Sequence, residues 1–91
     1  MDLLEPEAVD DALVDLAWTR LGGELVKVHR GPDFASSMAY ANAVGALAEE
    51  MDHHPDIEIR WNEVTLHLST HSAGGITALD IELARRIDAL A

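Results

Sequence analysis

The segment Ile57-Glu58-Ile59-Arg60-Trp61-Asn62-Glu63-Val64-Thr65-Leu66-His67-Leu68 carries two alternating runs in succession. Ile57, Ile59 and Trp61 alternate with Glu58, Arg60 and Asn62; Val64, Leu66 and Leu68 alternate with Thr65, His67 and Ser69. Successive strand side chains point to opposite faces, so each run predicts a strand with one apolar face and one wetted face. Only Asn62-Glu63 separates the runs, which predicts a hairpin. A half-buried antiparallel pair needs helices over its apolar face, and the flanking sequence supplies them.

Upstream, Phe34 to about Met51 is Ala-rich, with no Pro and one Gly, and predicts a long helix. Gly31-Pro32-Asp33 provides a break and an N-cap before it, and Pro55 stops it. Its face through Phe34, Met38, Ala41, Gly45 and Ala48 contains small residues that admit a close neighbour, either the sheet or a helix of another subunit. Farther back, Leu25 to His29 sets Val26 and Val28 on one parity with Lys27 between them, and Gly22-Gly23 marks a turn. Strands are predicted at 17–21 and 24–30. Between Glu5 and Ala17, the residues Val9, Ala12, Leu13, Leu16 and Ala17 follow the spacing of an amphipathic helix, with Pro6 and Glu7 suited to its first turn. Downstream, Gly74-Gly75 breaks the chain before Thr77, and Leu83, Ala84, Ile87 and Ala91 form the stripe of a last helix. The predicted class is α+β, in the order α-β-β-α-β-β-α: one four-stranded antiparallel sheet with three helices packed on one face.

The 91 residues suit one domain across positions 1–91, and 48% hydrophobic content suffices for a packed core. Seventeen acidic residues against six Lys and Arg give a net charge of −11, which repels phosphate backbones and argues against direct nucleic-acid binding. Cys is absent, which excludes disulfides, thiolate metal sites and cysteine nucleophiles. The acidic start lacks the basic residues of a secretory signal, and no apolar run approaches the ~20 residues of a membrane span. The expectation is a soluble cytoplasmic protein with no membrane contact.

Several polar residues sit where packing alone would not put them. Asp80 falls in the apolar stripe of the last helix, so its carboxylate points inward. Thr77-Ala78-Leu79-Asp80 also has the form of a capping box, and one side chain can cap a helix and orient a ligand group together. The run Glu49-Glu50-Met51-Asp52-His53-His54-Pro55 sets two imidazoles among carboxylates at a helix C-terminus. Glu49 and His53 are four apart and share a helix face if the helix persists; acids and the negative helix end favour the imidazolium form that a general acid needs. Histidines in that place can equally cap carbonyls and stay solvated. Ser69-Thr70-His71-Ser72 is a polar strand end opening into a loop whose hydroxyls and backbone groups could bond a flat heterocycle, or form an ordinary turn. His67, between Leu66 and Leu68, reads as a strand-surface residue. A metal site from His53, His54 and either His67 or His71 is a further option. No Ser sits in a nucleophile elbow, and Gly22-Gly23 lacks the rest of a phosphate loop. Trp18 and Trp61 read as core aromatics ahead of ligand platforms.

The positions Glu49, His53-His54-Pro55, Trp61, His71 and Asp80, at these spacings, resemble the signature of the pterin-4a-carbinolamine dehydratase family. The likeness extends from Leu3 onward; Leu79 departs from it, standing where the family often has a polar or basic residue. The resemblance implies a carbon–oxygen lyase: dehydration of 4a-hydroxytetrahydropterin to quinonoid dihydropterin, in tetrahydrobiopterin recycling. It implies no metal and no organic cofactor. By the same likeness His53, His54 and His71 are catalytic, without division into acid and base. Glu49 and Asp80 orient or charge them, while Asp52, Pro55, Ser69 and Thr70 join the histidines in contacting the pterin. It implies a homodimer or homotetramer with the second helices in contact, and an aromatic amino-acid hydroxylase in the same pathway. The alternative within this resemblance is a non-catalytic interaction protein on the same fold, a dimerisation cofactor or an assembly chaperone.

Overall fold

A computed structural model describes residues 2–90. The elements follow the expected order: α1 Pro6–Ala12, β1 Thr19–Leu21, β2 Glu24–Arg30, α2 Phe34–Met51, β3 Asp56–Arg60, β4 Glu63–Leu68 and α3 Ala78–Asp88. The sheet is antiparallel throughout, in the order β1-β2-β4-β3, so β4 is central and β1 and β3 are the edges. Val64, Leu66 and Leu68 of β4 are fully buried, and across the ladder Leu25 of β2 pairs with Leu68. These four meet Val9 of α1, Val44 and Ala48 of α2, and Leu83, Ala84 and Ile87 of α3 in one core. Each such Leu contributes about 1.5–3 kcal/mol by leaving water. Truncating Leu66 to Ala is expected to cost about 2–5 kcal/mol, because the core around it cannot fully close the void.

Three boundaries differ from the sequence expectation, each for a visible reason. The first helix ends at Ala12 and not at Ala17; Leu13 and Leu16 still pack against the core, but from a series of turns. Ala17 N–H donates to Asp88 Oδ2 at 2.7 Å and the Trp18 indole donates to Asp88 Oδ1 at 2.9 Å, which draws the chain off the helix axis. For the same reason β1 begins at Thr19, since the Ala17 amide is spent on α3. In β2 it is the parity of Leu25, Lys27 and His29 that faces the helices, while Val26 and Val28 lie on the open face. Lys27 is accommodated there by an ion pair with Asp88, 2.6 Å away.

The hairpin loop is Trp61-Asn62, one residue earlier than expected. Trp61 is therefore not a core residue: it is 65% exposed, with φ of 51°, whereas Trp18 is buried as expected. A positive φ is uncommon for such a side chain, and three bonds hold the turn in it. The Ser37 hydroxyl donates to the Trp61 carbonyl at 2.6 Å, Gly31 N–H donates to the Asn62 carbonyl, and the Asn62 amide donates back to the Gly31 carbonyl. Gly31 is needed at this junction, because a Cβ there would run into the Ser36 hydroxyl.

The long helix runs over Phe34–Met51 as expected and opens with a capping box between Asp33 and Ser36. Its sheet-facing side, however, passes through Ser37, Tyr40, Val44, Ala48 and Met51. Phe34 and Met38 turn away from the sheet and are 51% and 41% exposed. Among the described residues no helix is long and apolar enough to cross a membrane.

Candidate active site

The site begins with the way α2 ends. Its last turn closes as a Schellman motif: Asp52 adopts the left-handed conformation at φ 50°, its N–H reaching Glu49 O, and His53 N–H reaches back to Ala48 O at 3.0 Å. The chain reverses direction at Asp52, and Pro55 prevents any return to helix. Consecutive histidines thereby part company. His53 turns inward and is 8% exposed, whereas His54 returns over the outside of the helix. The expected four-apart pairing of Glu49 with His53 is not made, because the helix stops before it; Glu49 Oε2 instead lies 2.6 Å from His54 Nε2.

His53 Nε2 lies 2.6 Å from Oδ1 of Asp80, a carboxylate with no exposed surface. Asp80 is at the third position of α3 and does both things its sequence position suggested. Its Oδ2 accepts the Thr77 N–H at 2.8 Å, completing the capping box, while Oδ1 meets the imidazole. Oδ2 also accepts the Thr70 hydroxyl at 2.8 Å, so the carboxylate has donors on both oxygens and lies at the positive end of the helix dipole. A buried charge so surrounded is compensated; stripped of these donors it would cost several kcal/mol. Thr70 and Thr77 hydroxyls lie 2.7 Å apart, closing a dry polar cluster between the end of β4 and the start of α3.

The loop after β4 is more ordered than a string of turn formers suggested. Thr70 and Gly75 bridge each other through Thr70 N–H to Gly75 O at 2.7 Å, and Gly74 adopts φ of 79°. Ala73 and Gly74 N–H groups both converge on the Thr70 carbonyl, so Thr70's backbone and hydroxyl are committed within the protein. The tight closure leaves His71 and Ser72 exposed at its tip.

These pieces enclose a cleft of about 430 Å³. From the α2 end it is lined by Asp52, His53, His54 and Pro55, and from the β4 end by Ser69, Thr70, His71 and Ser72. Asp56, the first residue of β3, completes the wall. Each histidine singled out from the signature is thus on one hollow, and Glu49 and Asp80 stand behind it, each against one imidazole. Asp56 is the addition to the residues read from sequence, its only signal there being adjacency to Pro55; Ser72 belongs to the polar strand end that the sequence marked. His67 faces the open side of the sheet, bonded to Glu24 and Glu58. Among the described residues no group of three or more His, Asp or Glu side chains is arranged to hold a metal ion.

Fold and cleft together define a class: an α+β protein whose sheet carries, at one end, a hollow rimmed by three imidazoles, one of them set on a buried carboxylate. The chain belongs to the family described as Pterin 4 alpha carbinolamine dehydratase, whose model matches residues 2–90. A relative in Nocardia farcinica is 50% identical over 91 residues, covering 99% of this chain and 96% of its own. One in Roseiflexus castenholzii is 49% identical over 87 residues, covering 94% of each. Both carry the name "Putative pterin-4-alpha-carbinolamine dehydratase". Among solved structures, a transcriptional coactivator/pterin dehydratase from Brucella melitensis superposes with a TM-score of 0.88 at 30% identity, covering 94% of this chain and 95% of that one. A pterin dehydratase-like protein identified as a RuBisCO assembly factor in the alpha-carboxysome shares the fold, with a TM-score of 0.64 at 24% identity over 86% of this chain and 90% of its own.

Proposed function

We propose that this chain dehydrates 4a-hydroxytetrahydropterin to quinonoid dihydropterin and water, with His53, His54 and His71 as general acids and bases. Loss of the 4a-hydroxyl needs a proton delivered to the departing oxygen. The C–O bond breaks as electrons move in from the adjacent ring nitrogen, whose proton must then be taken up. Imidazoles serve both needs near neutrality, and such transfers contribute roughly 10²–10⁴-fold each. The observation that carries the reading is the convergence of three imidazoles on one cleft, two of them backed by carboxylates. At about 430 Å³ the cleft is within the usual range for small-molecule sites, and a bicyclic pterin is a small ligand for it. Asp52, Pro55, Ser69 and Thr70 would form walls against the ring, with Thr70 contributing through its placement, since its hydroxyl is already engaged.

The reading places the protein in tetrahydrobiopterin recycling after an aromatic amino-acid hydroxylase, in the cytoplasm. It takes the exposed Phe34 and Met38 side of α2 as the subunit contact of a homodimer or homotetramer. A second reading is a non-catalytic interaction protein. It draws on the printed descriptions of the solved relatives, one a coactivator as well as a dehydratase and one an assembly factor. That reading gives no reason to keep an imidazole-lined cleft, which is why we favour the enzyme.

The test is turnover of synthetic 4a-hydroxytetrahydropterin in metal-free buffer by wild type and His54→Ala. Wild type should exceed the spontaneous rate, and the variant should lose about 10²-fold or more of kcat/KM. A wild type no faster than buffer removes the dehydratase; equal rates for the two proteins remove the assignment of His54.

A further inference from the structure

The two buried threonines behind His53 have a direction, and it follows from counting protons. Asp80 is reached on Oδ2 by the Thr77 N–H and by the Thr70 hydroxyl, each at 2.8 Å. Thr70 has one hydroxyl proton and spends it on Asp80. The 2.7 Å contact between the hydroxyls can then be made only with Thr77 as donor and Thr70 as acceptor. Thr77 Oγ1 in turn accepts the Leu79 N–H at 3.3 Å. Every proton in the chain points toward the carboxylate, an arrangement that suits an ionised Asp80 and leaves its Oδ1 as an acceptor for His53. His53 Nε2 must therefore carry a proton. Its other nitrogen, Nδ1, bonds to none of the described residues, and the ring lines the cleft.

We infer that Thr70 and Thr77 are positioning residues whose aligned hydroxyls hold Asp80 so that His53 keeps its proton on Nε2 and exchanges protons with substrate through Nδ1. Thr77 does not line the cleft, and Thr70 is 5% exposed and internally bonded, so both act through Asp80 and the ring. Dryness strengthens the effect: Thr77 and Asp80 have no exposed surface, and no water competes for the carboxylate. The catalytic half of the inference rests on the dehydratase reading; the tautomer half does not.

The decisive measurement is ¹⁵N NMR of histidine-labelled protein above pH 8, where neutral rings report their tautomers. Wild-type His53 should show a protonated Nε2 and an unprotonated Nδ1. A neutral His53 protonated on Nδ1 overturns the inference, whatever the turnover assay gives. Thr70→Val and Thr77→Val should each weaken the Nε2–H signal. They should also lower kcat about ten- to a hundredfold, the range known for removing outer partners of metal-bound imidazoles, with KM little changed. Thr70→Ser and Thr77→Ser, which keep the hydroxyl, should restore both readouts. Valine variants that are less heat-stable yet retain wild-type ring signals and kcat would show the threonines to be structural only. If wild type shows the Nε2–H tautomer but no turnover, the dehydratase reading fails while the positioning of His53 stands.

Discussion

Helix α3 carries an aspartate at each end, and each gathers three hydrogen-bond contacts, yet the two serve different purposes. Asp80, in the first turn, lies where the helix dipole welcomes negative charge, and meets Thr70, Thr77 and His53. Asp88, in the last turn, lies where the dipole opposes it, and accepts from Ala17 N–H, the Trp18 indole and Lys27. Burial pushes the Asp88 carboxyl up; the Ala17 N–H, then Lys27 and the indole, outweigh it and hold the group below the usual carboxylate range. Every donor to Asp88 belongs to the framework, and their combined effect is to strap the turns after α1, and β2, onto α3. One partner of Asp80 has a second nitrogen that reaches a cleft. A well-bonded carboxylate shielded from solvent, fully as at Asp80 or largely as at Asp88, is thus no mark of function by itself; what matters is where the far side of its partner leads.

The largest expected effect comes from Asp80→Ala. It leaves the Thr77 N–H, the Thr70 hydroxyl and His53 Nε2 without their acceptor in a site closed to water, at about 1–3 kcal/mol each, so a loss of about 3–5 kcal/mol is expected in urea unfolding. Against a total stability of about 5–15 kcal/mol, the variant should fold marginally. Asp80→Asn, which keeps the shape, is the form in which to measure activity; a fall in turnover comparable to that of a histidine variant is expected.

Asp88→Ala should cost less, about 2 kcal/mol, since its partners can rehydrate at the domain edge. Turnover per folded molecule should be unchanged. Because the folded carboxyl titrates below its unfolded value, Asp88 contributes its full stability above the unfolded value near pH 4, and the contribution fades as pH falls through the lower folded value. The gap between wild type and Asp88→Asn in urea midpoints should therefore be wide at neutral pH and shrink in acid. Were Asp88→Ala to slow catalysis as Asp80→Asn does, the two ends of α3 would not be distinct in kind.

The sequence announced one of these carboxylates and concealed the other. Asp80 stands out because its neighbours at helical spacing, Leu83, Ala84 and Ile87, are buried, and because Thr77 precedes it at capping distance; both signals are local. Asp88 gives no such sign: its donors lie 61 to 71 residues away, and only the finished fold brings them near. The same division holds elsewhere. Strand alternation over 57–68 located β3, β4 and the buried face of β4, but the loop shifted by one residue because Ser37 and Gly31 bond it from a distant segment. That shift moved Trp61 out of the core. At the site, the family likeness pointed to the side chains that share the cleft, while helical spacing misassigned the partner of Glu49. The αL reversal at Asp52, which decides which histidine is buried and which acid it faces, depends on backbone geometry at a residue that is usually Gly in such motifs.

His67 offers the smallest test and the sharpest control on what burial adds to an acid–imidazole pair. On the open face of the central strand its Nδ1 lies 3.0 Å from Glu24 and its Nε2 3.0 Å from Glu58, with Asp56 directly across the β3 ladder on the same face. A neutral ring has one N–H and can donate to only one of these acids; the imidazolium donates to both. The Glu24 bond raises the His67 pKa, solvent loss opposes it, and Glu58 adds to the rise. A folded value above the unfolded one means that the clamp stabilises fully below the unfolded value near pH 6.5 and is lost as pH climbs through the folded value. Urea unfolding of wild type and His67→Gln should thus differ most near pH 5.5 and converge near pH 9, with a gap under about 1 kcal/mol because solvent screens the pair. A gap that widens with pH would mean that the two glutamates do not hold the ring in solution. A gap of several kcal/mol would mean that carboxylate number, and not burial, is what makes the Asp80 pair strong.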